Sequence, residues 1–317
     1  MIDARNFIDK YSFFPLHKTH LKTDKQFKTF DNGIVSYQES GDTLVIAGDP
    51  ICPKKTDIPK VLDEFCDWAK TQGQIVCGYY FSGYVAEKSN SLKSYMAGVS
   101  LGCKLSDLST QGKGAKEYRR ALNYGEKREL QFKELSRAEY FENFFAIKNL
   151  ENKWFKKKSK FKRIKFLLSP VKIEESKVSD RHFVILNKKN KIIAYVSLDQ
   201  FKEPGKKLSF YVDHMFSSPA QYKQALDYLL VKILFTLQGE GHKYLDFGFC
   251  PFKNVEPKNF VEASLYLTKY IKYIYNSKGV YNFKKKFCNH QKPVYLLMTP
   301  DKSKLIQMYS LFKVTFS

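Results

Sequence analysis

The chain has 317 residues, of which 43% are hydrophobic and 16% aromatic. This length and composition predict two folded domains of about 150 residues each and argue against disorder. No apolar run reaches the roughly 18 residues of a membrane-spanning helix, and the N-terminal segment lacks the apolar core of a secretory signal, so we expect a cytoplasmic protein. The 54 Lys and Arg against 32 Asp and Glu give a formal net charge of +22. That excess favours a polyanionic partner, with a merely solvated basic surface as the alternative.

The lysines are clustered. They concentrate at 153–165, 188–191 and 284–286, between aromatic residues. Cations beside aromatic rings suit both phosphate contacts and stacking on bases. The six cysteines form no C-x-x-C pair and the six histidines have no metal-ligand spacing, so we predict no disulfide framework, no metal site and no cofactor.

In the first half, the sequence pattern predicts short strands and two helices, of which the first is the clearer. Strands at 33–40 and 43–50 flank the turn Gly41-Asp42, and the next helix is expected to be capped by Asp57 and ended by Gly73. A strand, another strand, a helix and a final strand then follow at 74–81, 94–102, 114–127 and 129–135.

A long amphipathic helix is predicted over 136–158. After it, the second half is predicted to repeat the arrangement of strands and helices of the first half. A hairpin turns around Asn190, and a third strand, a glycine-ended helix and a further strand follow at 206–216, 221–241 and 242–249. A smaller helix near 260–275, the segment 279–287, a strand at 293–298 and a C-terminal amphipathic helix complete the chain.

We interpret each half as following the order β-β-β-α-β, which is the core of the acetyltransferase-like (GNAT) architecture. We predict an α+β protein of tandem GNAT-like domains, with mixed sheets flanked by helices. The predicted first domain is 1–136, the bridging helix 137–160, and the second domain, which carries most of the active site, 161–317.

Five segments carry a resemblance to a known family: LVIAGDP (44–50), DLSTQGKGAKEYRRALNYG (107–125), FYVDHMF (210–216), YLDFGFCPF (244–252) and VYNFKKKFCNHQKPVYLLM (280–298). In this order they resemble the cytosolic catalytic domain of bacterial phosphatidylglycerol lysyltransferases (multiple peptide resistance factor) and the related alanyltransferases. The sequence departs from the family at Phe216, where the family has arginine, and at Gln291, near a family tryptophan. The family's N-terminal membrane domain has no counterpart in this sequence.

The resemblance implies two fused GNAT folds that move an amino acid from its tRNA onto a lipid. It places Asp213 in the catalytic strand, where a carboxylate among apolar residues must be paired or used. A structural ion pair is the alternative for Asp213, and in a regular strand His214 would point the other way. Gly248 permits close approach of a substrate or of a neighbouring strand, and the Tyr295 hydroxyl is a candidate to reach the reacting group.

Five further residues are predicted to bind substrate or phosphate. The turn Gly112-Lys113-Gly114 precedes a helix with Arg119 and Arg120, one of which is expected to reach phosphate while the other braces the loop. Asn123 follows them at a position that the resemblance marks. Lys284 and Lys286 lie between aromatic residues, where a solvated basic face is the alternative to a phosphate or lipid head-group site.

These observations predict an aminoacyl-tRNA-dependent aminoacyltransferase whose acceptor is a hydroxyl or amine of a phospholipid or another small molecule. Two alternatives remain open, a CoA-dependent GNAT-type acyltransferase and a non-catalytic nucleic-acid or membrane-surface binding module. The absence of glycine from the segment SSPAQYKQA (217–225), where CoA enzymes of this fold bind pyrophosphate, argues against CoA. The amino acid, the acceptor and the oligomeric state are not indicated.

The pattern of the C-terminal helix predicts that the protein contacts the inner face of the membrane peripherally. It carries an apolar face with lysines at the margins, a pattern that suits an interfacial helix. Packing of that face onto the second domain's core is the alternative.

Overall fold

A computed structural model describes residues 3–11, 13–21, 25–158, 181–202, 208–218, 222–268 and 276–316. Its strands form one eleven-stranded sheet in the order β1-β2-β3-β4-β11-β5-β10-β9-β8-β7-β6. The strands are β1 (Gln26–Phe30), β2 (Gly33–Ser40), β3 (Thr43–Ala47), β4 (Ile75–Ser82), β5 (Lys93–Lys104), β6 (Gln131–Leu135), β7 (Arg181–Leu186), β8 (Ile192–Phe201), β9 (Ser209–Ser217), β10 (Tyr244–Pro251) and β11 (His290–Met298).

Helices cover both faces of this sheet. They are α1 (Ala4–Tyr11), α2 (His17–Leu21), α3 (Ile58–Thr71), α4 (Gly83–Lys88), α5 (Lys116–Lys127), α6 (Arg137–Lys158), α7 (Ala225–Gly239), α8 (Phe260–Thr268), α9 (Ser277–Lys285) and α10 (Lys304–Phe316). The predicted helix near 260–275 thus ends at Thr268 within the described residues, and 269–275 lie outside them. Residues 159–165 of the predicted lysine cluster also lie outside the described residues.

The two halves repeat one topology. Strands β1, β2 and β3 form an antiparallel meander, and α3 then crosses over to β4, which is parallel to β3. Strands β7, β8 and β9 form the same meander, and α7 crosses over to β10, which is parallel to β9. The predicted α+β fold of tandem GNAT-like units with helix-flanked mixed sheets is confirmed.

The halves are joined by strand pairing. Strand β11 lies between β4 and β5 and is antiparallel to both, so the C-terminal segment completes the first half's sheet. Strand β6 pairs with β7, and α5 packs on α7, where Gly125 lies against the ring of Tyr228. The predicted division into domains at 1–136, 137–160 and 161–317 stays a prediction. Both the pairing of β11 with β4 and β5 and the pairing of β6 with β7 join residues from the two predicted domains.

Alternation along the strands separates two covered faces. In β3, Leu44 belongs to the apolar cluster under α3, and the next residue, Val45, belongs to the cluster under α8 and α10. In β7, Phe183 packs toward α7, and the next residue, Val184, packs toward α6. Following the register across the sheet puts α3 and α7 on one face and α6, α8 and α10 on the other. We call these the α7 face and the α10 face.

Local turn chemistry largely follows the sequence. Gly41 and Asn190 have positive φ values of 60° and 54° at the two predicted hairpin turns, and Gly73 has φ 71° just after α3. The expected cap of α3 is wrong in detail. Asp57 occupies the N-cap position, but its side chain accepts no capping hydrogen bond, because its own backbone is already helical as the end of a short turn of 3₁₀ helix.

Candidate functional site

The two central parallel strands of the second half separate shortly after they meet. The pairing of β9 with β10 covers only Phe210 with Leu245 and Tyr211 with Asp246. Beyond that point β9 continues along β8 and β10 continues along β5. The two strands therefore splay apart, and Asp213 and Gly248 each lie two residues past the last pair.

Both strands are irregular at the splay. In β9 the register to β8 jumps from Val212 to His214, so that Asp213 is the extra residue of a bulge. In β10 the register to β5 shifts between Asp246 and Gly248, and Gly248 has φ 80°. Such bulges bend a strand and redirect its side chains, and they are common beside active sites.

The bulge brings Asp213 and His214 together. Asp213 is buried, and its Oδ2 lies 2.8 Å from Nδ1 of His214. The same imidazole nitrogen lies 3.0 Å from Oγ of Ser197 on β8. The expectation that His214 points away from Asp213 is therefore wrong, because it assumed a regular strand and the extra residue breaks the alternation.

A second buried carboxylate, Asp246, lies on β10 in the last residue pair before the splay. Asp246 accepts hydrogen bonds from the backbone N–H of Gly248 at 2.7 Å and from Oγ of Ser100 at 2.9 Å. The hydroxyl of Tyr80 lies 3.2 Å from that Oγ. Burial raises the pKa of the Asp246 carboxyl, an effect that the two hydrogen bonds and the nearby Lys292 and Lys284 charges partly offset.

Two tyrosine rings pack beside Asp246 and Gly248. Tyr211 packs in one apolar cluster with Tyr80, and a Cβ placed on Gly248 would lie 3.0 Å from the Tyr211 ring. Sequence reasoning missed Ser100, Tyr80 and Tyr211 as members of the site. Ser100 lies on β5 and Tyr80 on β4, two first-half strands that come close to the splay only through the order of strands in the sheet. That order could not be predicted from the sequence pattern.

Of the predicted lysines, Lys284 lies close to this site. Its buried Nζ donates a hydrogen bond to the carbonyl oxygen of Phe249 at 3.2 Å, and its charge acts on Asp246. Lys286 is exposed and forms an ion pair with Asp227 at 2.9 Å. Lys285, between them, is exposed and lies 5.8 Å from the ring of Tyr281.

The predicted phosphate-binding residues of α5 have different surroundings. Arg119 is the arginine that braces the loop, since its Nη1 donates to the carbonyl oxygens of Thr110 at 2.7 Å and Gly112 at 2.8 Å. Arg120 extends to Gln224, the residue before α7, with Nη2 and Nε 3.0 and 3.1 Å from the amide oxygen in its better orientation. Asn123, one turn further along α5, is exposed.

Tyr295 is not brought together with Asp213 and Gly248. Its ring packs with the α3 cluster and lies near Gly83, on the α7 face. The preceding residue, Val294, packs with Tyr80 and Tyr211 on the α10 face. The sheet therefore lies between the Tyr295 ring and the cluster around Asp246.

Within the described ranges, no group of three or more His, Cys, Asp and Glu side chains could hold a metal ion. Among the same residues we find no helix with the length and apolar character needed to cross a bilayer. Burial raises the pKa of the Cys250 thiol beside the site, which disfavours its nucleophilic thiolate form.

Comparison with known proteins identifies the family of the chain. A family model described as "Phosphatidylglycerol lysyltransferase, C-terminal" matches residues 11–298. A phosphatidylglycerol lysyltransferase from Staphylococcus haemolyticus is 21% identical over 286 residues, and the match covers 88% of this chain but 32% of that protein. The chain thus spans about a third of the length of this curated relative.

Two solved structures show the same fold. One is described as the C-terminal (DUF2156) domain of a lysylphosphatidylglycerol synthetase from Agrobacterium fabrum, with a TM-score of 0.83 and 17% identity over 99% of this chain and 98% of that one. The other is L-PGS from Bacillus licheniformis, with a TM-score of 0.80 and 18% identity over 99% and 96%. On the family match, this chain belongs to the phosphatidylglycerol lysyltransferase C-terminal family.

Proposed function

We propose that this chain transfers an aminoacyl group from an aminoacyl-tRNA to a hydroxyl group of a phosphatidylglycerol-like phospholipid. The observation that carries the proposal is the family match over residues 11–298. The splay between β9 and β10 supports the proposal, because two buried carboxylates and a histidine lie beside the point where the strands separate.

The chemistry requires no covalent enzyme intermediate, since the donor is already an activated ester. The acceptor oxygen attacks the ester carbonyl carbon, and a new ester bond forms as the bond to the terminal ribose oxygen of the tRNA breaks. The acceptor's proton ends on that ribose oxygen. In the proposed arrangement Asp213 and His214, 2.8 Å apart, accept and relay this proton, while Asp246 holds the donor's ammonium group.

Positioning of the donor falls to exposed polar and basic residues on α5 and α9. Arg120 and Asn123 on α5, together with Lys285 and Lys286 at the end of α9, are exposed and suited to phosphate contacts. Arg119 acts indirectly by holding the loop at 110–112. Lys284 is buried beside Asp246 and contributes its charge at the reacting centre.

The test is a transfer assay with purified chain. Total tRNA charged with a mixture of radiolabelled amino acids is incubated with phosphatidylglycerol vesicles, and the label that passes into the organic phase is counted. We expect label in the lipid, its loss when the tRNA is first digested with ribonuclease, and no labelled lipid from radiolabelled acetyl-CoA. Transfer from acetyl-CoA alone would establish the CoA-dependent alternative, and no transfer from any charged tRNA would overturn the proposal.

A further inference from the structure

The exposed apolar side chains in the described residues are concentrated on the helices that cover one face of the twisted sheet. All large hydrophobic side chains that are exposed in the described residues lie on α6, α8 and α10, which cover the α10 face. Helix α10 carries Leu305, Ile306, Tyr309 and Phe312, each between 51% and 65% exposed. Their spacing places them along one side of the helix.

Helix α10 is therefore apolar on two sides. Its inner side, with Leu311 and Val314, is buried against the first half's strands β2, β3 and β4. The alternative predicted for this helix, packing onto the second domain's core, is therefore wrong about where the helix packs. Its start is fixed to the preceding turn, where Lys304 donates to the carbonyl oxygens of Thr299 and Pro300. The outer apolar side is thus held toward solvent, with each of its four large side chains more than half exposed.

Helix α8 adds to this surface. Its inner residues Val261 and Leu265 pack in the same apolar cluster as the inner side of α10. Its outer residues Phe260 and Leu267 are 58% and 62% exposed. Two helices seated on one cluster thus present six large apolar side chains outward, an arrangement that marks an interaction site.

Charge selects the occupant of this surface. Exposed Lys302 and Lys313 flank the apolar side of α10, and the chain carries a net charge of +22. A second copy would bring the same positive charge and be repelled, whereas an anionic bilayer attracts lysines and accepts apolar side chains below its head groups. We propose that the outer sides of α8 and α10 seat the chain on the surface of an anionic membrane. This inference deepens the proposed function, which requires access to a lipid acceptor.

Helix α6 supplies a matched control. It exposes Phe141 and Phe145, but it packs on β8 and β9, whereas α10 packs on β2, β3 and β4. Six steps in the sheet order separate β3 from β8. At about 20° of twist per strand, α6 faces roughly 120° away from α10 and does not share a membrane plane with it.

The test is co-sedimentation with vesicles of mixed phosphatidylglycerol and phosphatidylcholine, and with vesicles of phosphatidylcholine alone. We expect the chain to bind the anionic vesicles and not the neutral ones. The variant Leu305→Ser/Ile306→Ser/Tyr309→Ser/Phe312→Ser should bind the anionic vesicles at least about tenfold more weakly, since it removes four apolar groups from the interface. The control Phe141→Ser/Phe145→Ser should bind like the wild type.

Equal binding by the four-residue variant and the wild type would overturn the proposal. So would a concentration-dependent dimer in sedimentation equilibrium that the same variant abolishes, because the surface would then be a contact between copies. The double variant Phe260→Ser/Leu267→Ser on α8 repeats the test at a second place, so that misfolding of one variant does not decide the outcome.

A second assay separates failure of this inference from failure of the proposed function. Transfer is measured to phosphatidylglycerol in vesicles and to a short-chain phosphatidylglycerol dispersed below its micelle concentration. If both proposals hold, the α10 variant loses transfer to vesicles and keeps transfer to the dispersed lipid. Vesicle binding by the wild type without transfer to either acceptor would overturn the proposed function and leave the docking surface intact. Unchanged transfer to vesicles by the variant would overturn the docking surface alone.

Discussion

The substitution Asp49→Asn should stabilise this protein at neutral pH. Asp49 follows the end of β3, is buried, and accepts a hydrogen bond from the backbone N–H of Ser82 at 2.9 Å. Burial raises the pKa of its carboxyl from 3.8 to about 6, although the Ser82 hydrogen bonds and the charge of Lys55 oppose the rise. Asparagine keeps an acceptor oxygen for Ser82 and removes the charge that burial disfavours.

The size of the effect follows from the raised pKa. A group whose pKa is higher in the folded state binds its proton more tightly there, so the folded protein loses stability as the pH rises from about 4 to 6. At 1.36 kcal/mol for each pH unit, the ionised carboxylate destabilises the fold by up to about 3 kcal/mol above pH 6. The asparagine amino group needs a new partner and offsets about 1 kcal/mol of this, so we expect a net gain of roughly 1 to 3 kcal/mol at pH 7.5.

The assay is urea unfolding of both proteins between pH 4.5 and 8 at constant ionic strength. The free energy gained by the variant should be largest above pH 6 and shrink steadily toward pH 4.5, because protonation makes Asp49 neutral as well. Asp42→Asn, in the exposed turn between β2 and β3, serves as the control and should change stability little. A variant less stable than wild type at pH 7.5, or a gain independent of pH, would refute the reasoning.

Three other changes test separate parts of the account. Gly125→Ala should destabilise the protein by about 1–3 kcal/mol in urea unfolding, because the added Cβ would lie 2.4 to 2.5 Å from the buried Tyr228 ring between α5 and α7; unchanged stability would contradict the close α5–α7 contact. Gly248→Ala should destabilise by roughly 1–3 kcal/mol and reduce transfer, because φ is 80° and the new Cβ would press on Tyr211; full transfer activity would show that the splay tolerates a side chain there. Binding of tRNA should weaken at least about a hundredfold between about 50 and 200 mM salt, as release of counterions by several lysines requires; a filter-binding curve insensitive to salt would exclude distributed phosphate contacts.

Local patterns were sufficient to predict most of the strands and helices, but not β1 or the short helices α1, α2 and α4. Alternating apolar residues in the strands, helical spacing in α3 and α7, and glycine or asparagine at the turns all act within a few residues. They therefore predict the β-β-β-α-β order of the second half, whereas in the first half they miss β1 and identify only two strands before α3. Asp213 could also be selected from the sequence, since a carboxylate among the apolar residues of β9 requires an explanation.

Contacts between distant segments could not be predicted in this way. The insertion of β11 between β4 and β5 joins strands about 200 residues apart, and no local pattern specifies it. Ser100 reaches Asp246 through the pairing of β5 with β10, and Tyr80 reaches Ser100 because β11 links β4 to β5. The position of His214 beside Asp213 depends on a one-residue bulge, which reverses the direction of side chains without altering the sequence pattern.

The central proposal is that this chain transfers an aminoacyl group from tRNA to a phospholipid, at the splay between β9 and β10 where Asp213 lies. The most direct test is the single-turnover rate at which label passes from charged tRNA to phosphatidylglycerol, measured for the wild type and for Asp213→Asn with matched urea-unfolding curves. We predict transfer by the wild type and a rate about 10² to 10³ lower for the variant, a loss of roughly 3 to 4 kcal/mol of transition-state stabilisation. Equal rates for two folded proteins would contradict the placement of the site at Asp213, and no transfer by the wild type would contradict the claim itself.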